Sequence, residues 1–288
     1  MARMFILSFV VVFGSAASAF TYQPNVIYGK DDRIDLYMIE NPIVREVALS
    51  TAAMIPSANL SQAEEGKQSV RAGIYGHEMG LCSEEAFYSQ PSGAMCSGFL
   101  VGDDLLATAG HCITESSCES NSFVFNYHMT NAETAPTVVA QSDVYRCTQV
   151  LSRELTNNQD YALVKLDRPV EGRRALRLAA NPVQLNDGIY VVGHPSGLPT
   201  KVAGGASIRR LETGYFVANL DTYGGNSGSA VFNTETNEVI GILVRGERDF
   251  RYDSSNMCKR SNSCLDSECR GEDVTLISYI IDALNQKH

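Results

Sequence analysis

Short apolar runs cut by glycine, aspartate and asparagine dominate the chain from about residue 95 onward. Residues 97–101 and 105–108 flank Gly102-Asp103-Asp104, a pattern that predicts a β-hairpin. The alternation of Phe and Val that starts at residue 123 predicts another strand, over 123–127. We expect further strands at 161–166, 189–192, 215–220, 229–232 and 239–244. Many short strands with few helical periods favour an all-β barrel or sandwich.

One helical pattern stands out near the end of the chain. Val274, Ile277, Ile281 and Leu284 recur at helical spacing. The acidic pair Glu272-Asp273 would lie at the N-terminus of this helix, where negative charge is favourable. We therefore predict a C-terminal helix that packs on the outside of the C-terminal β-structure.

Three other segments show no strand period. Residues 20–35 are mostly polar and are expected to run over the surface. Residues 168–185 have the composition of a linker between two halves. Residues 246–273 are charged and rich in cysteine, and we interpret them as a loop held by disulfides.

Composition narrows the class of protein. The chain has 288 residues, of which 44% are hydrophobic and 19% charged, as in a globular protein with a sizeable core. Its formal net charge is -10, and no basic patch of the kind that binds nucleic acid is present in the sequence. The acidity is expected to serve solubility outside a cell.

The first nineteen residues have the pattern of a signal peptide. Arg3 supplies a positive charge, residues 4–13 are apolar, and Ala17-Ser18-Ala19 is a small-residue cleavage site. The exported chain would then begin at Phe20. The alternative is a buried N-terminal helix. No later segment is long and apolar enough to predict a membrane anchor.

Eight cysteines follow this segment: Cys82, Cys96, Cys112, Cys118, Cys147, Cys258, Cys264 and Cys269. An even number behind an export signal favours disulfides. The step of sixteen residues from Cys96 to Cys112 could close a bridge across a hairpin, and the other pairings stay open. A zinc site is the alternative, but there is no Cys-x-x-Cys pair, so we expect no metal.

Three segments carry the candidate chemistry. Residues 108–112 read Thr-Ala-Gly-His-Cys, so His111 ends an apolar strand and precedes a cysteine. Asp160 opens another apolar strand, and residues 224–229 read Gly-Gly-Asn-Ser-Gly-Ser around Ser227. Taken singly, each has an ordinary structural explanation: a core histidine, a turn aspartate and a glycine-rich surface turn.

Together and in this order, the three residues predict nucleophilic catalysis. A serine hydroxyl needs a base to take its proton, here His111, and the base needs an acceptor for its N–H, here Asp160. Glycines on both sides of Ser227 allow a tight turn that exposes the hydroxyl. They also allow two N–H groups to converge as an oxyanion hole.

With these motifs the chain resembles the chymotrypsin-like serine peptidases. The Gly-Asn-Ser-Gly-Ser form around Ser227 and residues 26–33, Val-Ile-Tyr-Gly-Lys-Asp-Asp-Arg, are similar to the bacterial glutamyl endopeptidase branch. The resemblance implies two six-stranded antiparallel β-barrels, with the active site in the cleft between them. It also implies that the N–H groups of Gly225 and Ser227 form the oxyanion hole, and that no cofactor is needed.

The resemblance divides the chain as well. A short propeptide at 20–25 would be removed to give a mature start at Val26. Residues 26–175 would form the barrel that carries His111 and Asp160. Residues 176–288 would form the barrel that carries Ser227 and the C-terminal helix.

Several positions depart from the family's patterns. Asn226 occupies the place of the aspartate that pairs with the freed N-terminus in the trypsin branch, so a different arrangement is expected here. Leu243 occupies the place of the histidine that receives glutamate in the glutamyl branch. Asp221 falls where trypsin has its pocket-floor acid, beside Thr222, and hints at Lys or Arg before the scissile bond. Arg245 could pair with Asp221 and cancel its charge.

The sequence thus predicts a secreted or periplasmic serine endopeptidase that acts as a monomer on protein or peptide substrates. The main alternative is a catalytically inactive homologue that serves as a binding or adhesion module. An exported esterase is a weaker alternative, because its histidine would follow the serine in the chain.

Overall fold

The computed structural model describes residues 27–286. The predicted signal peptide at 1–19, the possible propeptide at 20–25 and the expected start at Val26 lie outside these residues. The strands, in chain order, are β1 (Ile27–Tyr28), β2 (Arg33–Asp35), β3 (Thr51–Pro56), β4 (Leu60–Gln62), β5 (Lys67–Val70), β6 (Gly73–Ile74), β7 (Pro91–Ser92), β8 (Cys96–Leu100), β9 (Leu105–Thr108), β10 (Asn121–Val124), β11 (Val138–Ala140), β12 (Val144–Leu155), β13 (Asp160–Leu166), β14 (Gly188–Gly193), β15 (Lys201–Leu211), β16 (Tyr215–Ala218), β17 (Ala230–Asn233), β18 (Val239–Arg245), β19 (Phe250–Asp253), β20 (Cys258–Ser261), β21 (Ser263–Cys264) and β22 (Glu272–Leu276).

Helices are few and short in the described chain. The α-helices are α1 (Pro42–Ala48), α2 (Tyr75–Met79) and α3 (Ser278–Asn285). Single 3₁₀ turns occur at Leu36–Met38, Ser57–Asn59, Cys118–Ser120, Gln141–Asp143 and Pro195–Gly197. Within residues 27–286, no helix has the length and apolar character needed to cross a membrane.

The first barrel closes in the order β10-β12-β13-β9-β8-β3. Its hairpin β8–β9 is the one that the sequence predicts around Gly102. Alternate side chains of these strands fill the interior, as a small closed barrel requires, and Phe99, Leu106 and Phe123 are fully buried there.

The second barrel closes in the order β14-β17-β18-β22-β16-β15, because β14 also pairs with β15. The prediction of two six-stranded antiparallel barrels with a C-terminal helix is confirmed. Strand β2 adds to the outside of this barrel by pairing with β15, although the predicted division places residues 33–35 with the first barrel.

The prediction of where the C-terminal helix begins was wrong. Val274 lies in β22, which pairs with both β16 and β18, and α3 begins at Ser278. Pairing on both sides of a strand outweighs helical spacing in so short a segment. Glu272 and Asp273 are therefore buried in a strand rather than placed at a helix N-terminus.

The position of α3 also differs from the prediction. Tyr279 on α3 stacks on Tyr161 of β13, with ring centroids 5.5 Å apart, so the helix contacts the first barrel. Other residues of the helix join the main hydrophobic cluster, which contains side chains from both barrels. The helix consequently bridges the two barrels instead of covering the outside of the second one alone.

Two segments that the sequence assigned to the surface or to a loop contain strands. Ile27 and Tyr28 in β1 are buried and run parallel to β21. Residues 246–273 contain the hairpin β19–β20 in addition to β21. The sequence analysis missed these strands because their composition is polar and because the partners of β1 and β21 lie far apart in the chain.

All eight cysteines are bonded: Cys82–Cys258, Cys96–Cys112, Cys118–Cys147 and Cys264–Cys269. The last two cysteines close a short loop just before β22. The Cys82–Cys258 bridge fastens the β19–β20 hairpin to the segment that follows α2. Two of the bridges thus hold the segment 246–273, in agreement with its interpretation as disulfide-held.

Candidate active site

Strand pairing brings His111 and Asp160 together. Thr108 of β9 lies opposite Ala162 of β13, so the residues that follow β9 meet the start of β13. The Nδ1 atom of His111 is 2.8 Å from Asp160 Oδ2, and the backbone N–H of His111 donates to Asp160 Oδ1 at 3.0 Å. Asp160 is buried, whereas the side chain of His111 is 35% exposed. A neutral imidazole that donates from Nδ1 has Nε2 as its acceptor.

The turn that carries His111 is fixed from three sides. Arg153 Nε donates to the carbonyl of Gly110 at 2.7 Å and to that of Ile113 at 2.8 Å. A Cβ on Gly110 would lie 2.2 Å from the carbonyl oxygen of Glu154, so only glycine fits this approach. Cys112 is bonded to Cys96 on β8. The sequence interpretation did not identify Arg153, because an arginine in a strand carries no distinguishing pattern.

The sulfur atoms of Cys96 and Cys112 lie close to the His111 ring, with their ligand-type atoms all within 4.8 Å of one another. Metal sites use cysteine as a thiolate. Because these two sulfurs are joined in a disulfide, this cluster does not offer a metal site.

Ser227 lies in the glycine-rich loop before β17. Its carbonyl accepts the N–H of Ser97 at 2.8 Å, which joins the loop to the first barrel. Within the described chain the hydroxyl makes one hydrogen bond, to the carbonyl of Val244 at 3.5 Å, and none to His111. Such contacts are often loose before substrate binds.

The peptide between Gly224 and Gly225 is oriented by the segment around Pro195–Gly197. The N–H of Ser196 donates to the carbonyl of Gly224 at 2.5 Å. In a trans peptide the N–H points opposite to the carbonyl, so the N–H of Gly225 faces away from Ser196. Among residues 27–286, the backbone N–H groups of Gly225 and Ser227 have no protein acceptor. Two free donors beside a serine hydroxyl have the character of an oxyanion hole.

Gly225 cannot be replaced without moving this loop. Its φ is +92°, and a Cβ would lie 2.9 Å from the N atom of Gly197 and from the carbonyl oxygen of His194. These are backbone atoms that cannot rotate away. A side chain here would displace the peptide that presents the N–H group.

Asp249 holds the other side of the same peptide segment. Its Oδ2 accepts the N–H of Gly224 at 2.8 Å, and burial raises its pKa to about 6. The side chain of Asn226 instead points inward, where its Oδ1 accepts from the hydroxyl of Ser229 at 3.3 Å. The sequence interpretation missed Asp249 because it lies 25 residues from Gly224, in a segment taken for a loop.

A cavity of about 520 Å³ adjoins Ser227, and Thr222, Leu243 and Arg245 contribute to its lining. Asp221 does not line it. Its two carboxylate oxygens accept the N–H groups of Tyr28 at 2.7 Å and Asp32 at 2.8 Å, so it anchors the N-terminal segment. Burial raises the pKa of Asp221 to about 7.

Arg245 does not pair with Asp221 either. Its Nε lies 3.2 Å from Oδ2 of Asp273 on the neighbouring strand. Three acidic groups line the cavity, Glu247, Asp249 and Glu272, and the sequence interpretation placed Glu272 at a helix terminus. Burial raises the pKa of Glu272 to about 8.

Comparison with known proteins gives a family and a fold. A sequence profile described as a trypsin-like peptidase domain matches residues 96–242. Secreted RxLR effector protein 73 of Plasmopara viticola is 31% identical over 164 residues, which make up 51% of this chain and 40% of that protein. The chain thus matches less than half the length of this curated relative.

Two solved structures share the fold. A Glu endopeptidase in complex with MPD superimposes with a TM-score of 0.51 and 18% identity, covering 91% of this chain and 98% of that one. The VesB protease of Vibrio cholerae gives a TM-score of 0.54 and 14% identity, covering 90% of this chain and 68% of that one. At such identities the similarity concerns the fold alone.

Proposed function

Because this chain belongs to the trypsin-like peptidase domain family, we propose that it is a secreted serine endopeptidase with Ser227 as nucleophile, His111 as base and Asp160 as the residue that orients the base. The observation that carries the proposal is the pair of hydrogen bonds from His111 to the two carboxylate oxygens of Asp160. The two free N–H donors at Gly225 and Ser227 support it. Four disulfides and a relative named as a secreted effector support secretion.

The proposed reaction begins when the Ser227 hydroxyl turns from Val244 toward His111. His111 Nε2 takes the hydroxyl proton while the oxygen attacks the peptide carbonyl, and Asp160 stabilises the imidazolium that forms. The N–H groups of Gly225 and Ser227 receive the negative charge on the carbonyl oxygen. In related sites the loss of one such donor costs about 3–4 kcal/mol of transition-state stabilisation.

Collapse of the tetrahedral intermediate completes the first half of the reaction. The C–N bond breaks, His111 returns its proton to the leaving amine, and an acyl group remains on Ser227. A water molecule then attacks this ester with His111 again as base, which releases the acid and restores the hydroxyl. These steps require no cofactor.

The nucleophile assignment is tested with Ser227→Ala and an organophosphonate probe. We expect the wild-type protein to cleave peptides and to be labelled at Ser227. The variant should keep its fold by circular dichroism and lose about 10³-fold or more in kcat. Unchanged hydrolysis by the purified variant, or labelling at another residue, would contradict the assignment.

The alternative function is a binding or adhesion module without catalysis. The hydrogen bond of the Ser227 hydroxyl to Val244, rather than to His111, is the observation that favours it. A folded wild-type protein that cleaves no member of a peptide library and takes no organophosphonate label would support this second function.

A further inference from the structure

The sequence motif at residues 26–33 ends in an arginine that the proposed reaction does not use. Arg33 lies in β2, which pairs with β15 of the second barrel. Its side chain is only 2% exposed. Arginine is rarely buried to this extent, because removal of a guanidinium group from water is unfavourable. The position of this buried charge therefore calls for a specific explanation.

The guanidinium group of Arg33 is held in one orientation by Asp31. Its Nε and Nη2 donate to the two carboxylate oxygens at 2.9 and 2.8 Å, and such a bidentate pair fixes the plane of the group. The backbone N–H of Arg33 donates to the same carboxylate at 3.1 Å. The side chain of Asp31 is 24% exposed, so solvent reaches the acid whereas the cation is buried.

This planar cation lies over the ring of Tyr223, four residues before Ser227. The distance from Arg33 Cζ to the centroid of the ring is 4.1 Å, which is within the range of a cation–π contact. The ring is buried, and its centroid lies 5.0 Å from that of Phe250. A cation–π contact is strongest when both groups are shielded from water, as they are here.

Tyr223 begins the turn that carries one of the two free N–H donors. Its carbonyl accepts the N–H of Asn226 at 3.0 Å, which closes a turn over Gly224 and Gly225. Glycine at both inner positions gives the turn little rigidity of its own. Asn226 carries no charge, so it cannot form the ion pair that is expected at this position in the trypsin branch. The contact on the ring of Tyr223 supplies a further constraint at the first residue of the turn.

The N-terminal segment is also tied to this loop at a second point. Tyr28 and Asp32 donate their N–H groups to the two carboxylate oxygens of Asp221, at 2.7 and 2.8 Å. Asp221 precedes Tyr223 by two residues, so these hydrogen bonds fix the approach to the turn. The guanidinium group of Arg33 acts on the turn itself.

We infer that Arg33 is a positioning residue for the proposed reaction, because its guanidinium group on the ring of Tyr223 holds the turn at 223–226 in the orientation that presents the N–H of Gly225. This inference rests on the proposed peptidase function. Arg33 touches neither substrate nor the reacting atoms, and its effect passes through Tyr223.

Arg33→Met tests the inference through turnover. Methionine has an unbranched side chain without charge, and the acid that is left unpaired, Asp31, is partly exposed to solvent. We expect kcat to fall by about 5- to 30-fold, where 30-fold corresponds to a contact of about 2 kcal/mol at 1.36 kcal/mol per tenfold change in rate. KM should stay within a few-fold, because the donor acts on charge that develops in the transition state. The affinity of a peptide aldehyde, whose hemiacetal oxygen resembles the oxyanion, should fall in parallel with kcat.

Arg173→Met is the matched control. Arg173 is also a largely buried arginine, which pairs with Asp143 at 2.7 Å and lies 4.8 Å from the ring centroid of Phe125. Both partners lie in the half of the chain that forms the first barrel. This variant should lose unfolding free energy, as Arg33→Met does, and keep the wild-type kcat. Equal losses of kcat in the two variants would overturn the inference, because the effect would then follow stability alone.

A double-mutant cycle shows whether Arg33 acts through Tyr223. Tyr223→Leu removes the ring and should lower kcat by itself. In this background we expect Arg33→Met to have little further effect on kcat. Losses that multiply in the double variant would overturn the inference. If Arg33→Met does not fold, a folded Tyr223→Leu with the wild-type kcat would overturn it in the same way.

Hydrogen exchange decides the question without catalysis. The N–H of Asn226 is bonded to the carbonyl of Tyr223 and reports on the turn. We expect this amide to exchange faster in Arg33→Met and to keep its wild-type rate in Arg173→Met. An unchanged rate in Arg33→Met overturns the inference. Failure of the wild-type protein to cleave any peptide would refute the proposed function instead, and the exchange rates would still decide whether Arg33 holds the turn.

Discussion

Removal of the Asp249 carboxylate is expected to slow the chemical step. Its Oδ2 accepts the N–H of Gly224 at 2.8 Å, on the opposite side of the segment from the bond between Ser196 and Gly224. These two hydrogen bonds hold Gly224 at its N–H and at its carbonyl, and so fix the peptide whose other end is the N–H of Gly225. In Asp249→Ala one of the two is lost, and the peptide can rotate away from the orientation that presents its donor.

The size of the effect follows from this one contact. A hydrogen bond to a charged group contributes about 1.5–3 kcal/mol. At 1.36 kcal/mol per tenfold change in rate, that is a loss of about 10- to 150-fold in kcat. Complete loss of one oxyanion donor lowers kcat by about 10²- to 10³-fold, and this is the upper limit for the effect of Asp249→Ala. KM should change little, because the donor acts on charge that develops in the transition state.

Asp249→Asn is the matched control. Its amide oxygen can still accept the N–H of Gly224, so kcat should recover most of the loss. The pKa of Asp249 is raised to about 6, above its value in an unfolded chain, so the proton adds stability that is lost as the pH rises through 6. At pH 8 the ionised carboxylate is therefore unfavourable, and the Asn variant should be no less stable than wild type by thermal unfolding.

The assay measures kcat and KM on one peptide, together with the affinity of a peptide aldehyde, whose hemiacetal oxygen resembles the oxyanion. We expect the aldehyde to bind Asp249→Ala more weakly by the same factor as the loss in kcat. A wild-type kcat in Asp249→Ala would refute the reasoning. So would equal losses in the Ala and Asn variants, because the effect would then not depend on the acceptor.

Two further predictions concern the disulfide next to His111 and the N-terminal segment. Peptide mapping of the secreted protein should find Cys96 joined to Cys112, and two free thiols in the native protein would disprove the pairing. The double variant Cys96→Ser/Cys112→Ser should lose roughly 3 kcal/mol of unfolding free energy, which is the value for a loop of about this size. N-terminal sequencing of the active protein should give Val26 as the first residue, directly before the buried Ile27. A form extended by one residue should be less active. A fully active protein that begins at Phe20 would exclude this start.

Most barrel strands that the sequence predicted are those whose partners lie close along the chain or whose apolar run is unbroken. The hairpin β8–β9 and the strand β13 belong to this group. The barrel strands that were missed are β3, β12, β15 and β22. β12 and β15 are long strands with register shifts in their pairing, and these shifts interrupt the alternation of apolar and polar residues that predicts a strand.

The candidate triad could be predicted because each member carries a local signature. His111 ends a strand before a cysteine, Asp160 begins one, and Ser227 lies among glycines. The lining of the cavity has no such signature. Asp221 has the right separation from Ser227 for a pocket floor, but the sequence does not show that Tyr28 and Asp32 occupy its oxygens.

The loop that leads to Ser227, residues 221–226, shows why long-range contacts escape sequence analysis. Asp221 binds residues 189 and 193 positions away, Thr222 bonds to Glu272 at a distance of 50 positions, and Gly224 bonds to Asp249 at 25. Asp221 and Glu272 are buried and Asp249 is half-buried, and the pKa of each is raised, so each acid lowers the stability of the fold when ionised.

Three acids with a raised pKa meet at residues 221–224, and they are hard to explain as packing, because apolar residues would fill the same space at lower cost. Asp221 fixes the segment to β1, and Asp249 fixes the peptide before Gly225. Glu272 fixes the segment to β22 through the hydroxyl of Thr222. All three acids therefore tie the residues before Ser227 to distant parts of the chain, which is the positional precision that a candidate nucleophile loop needs.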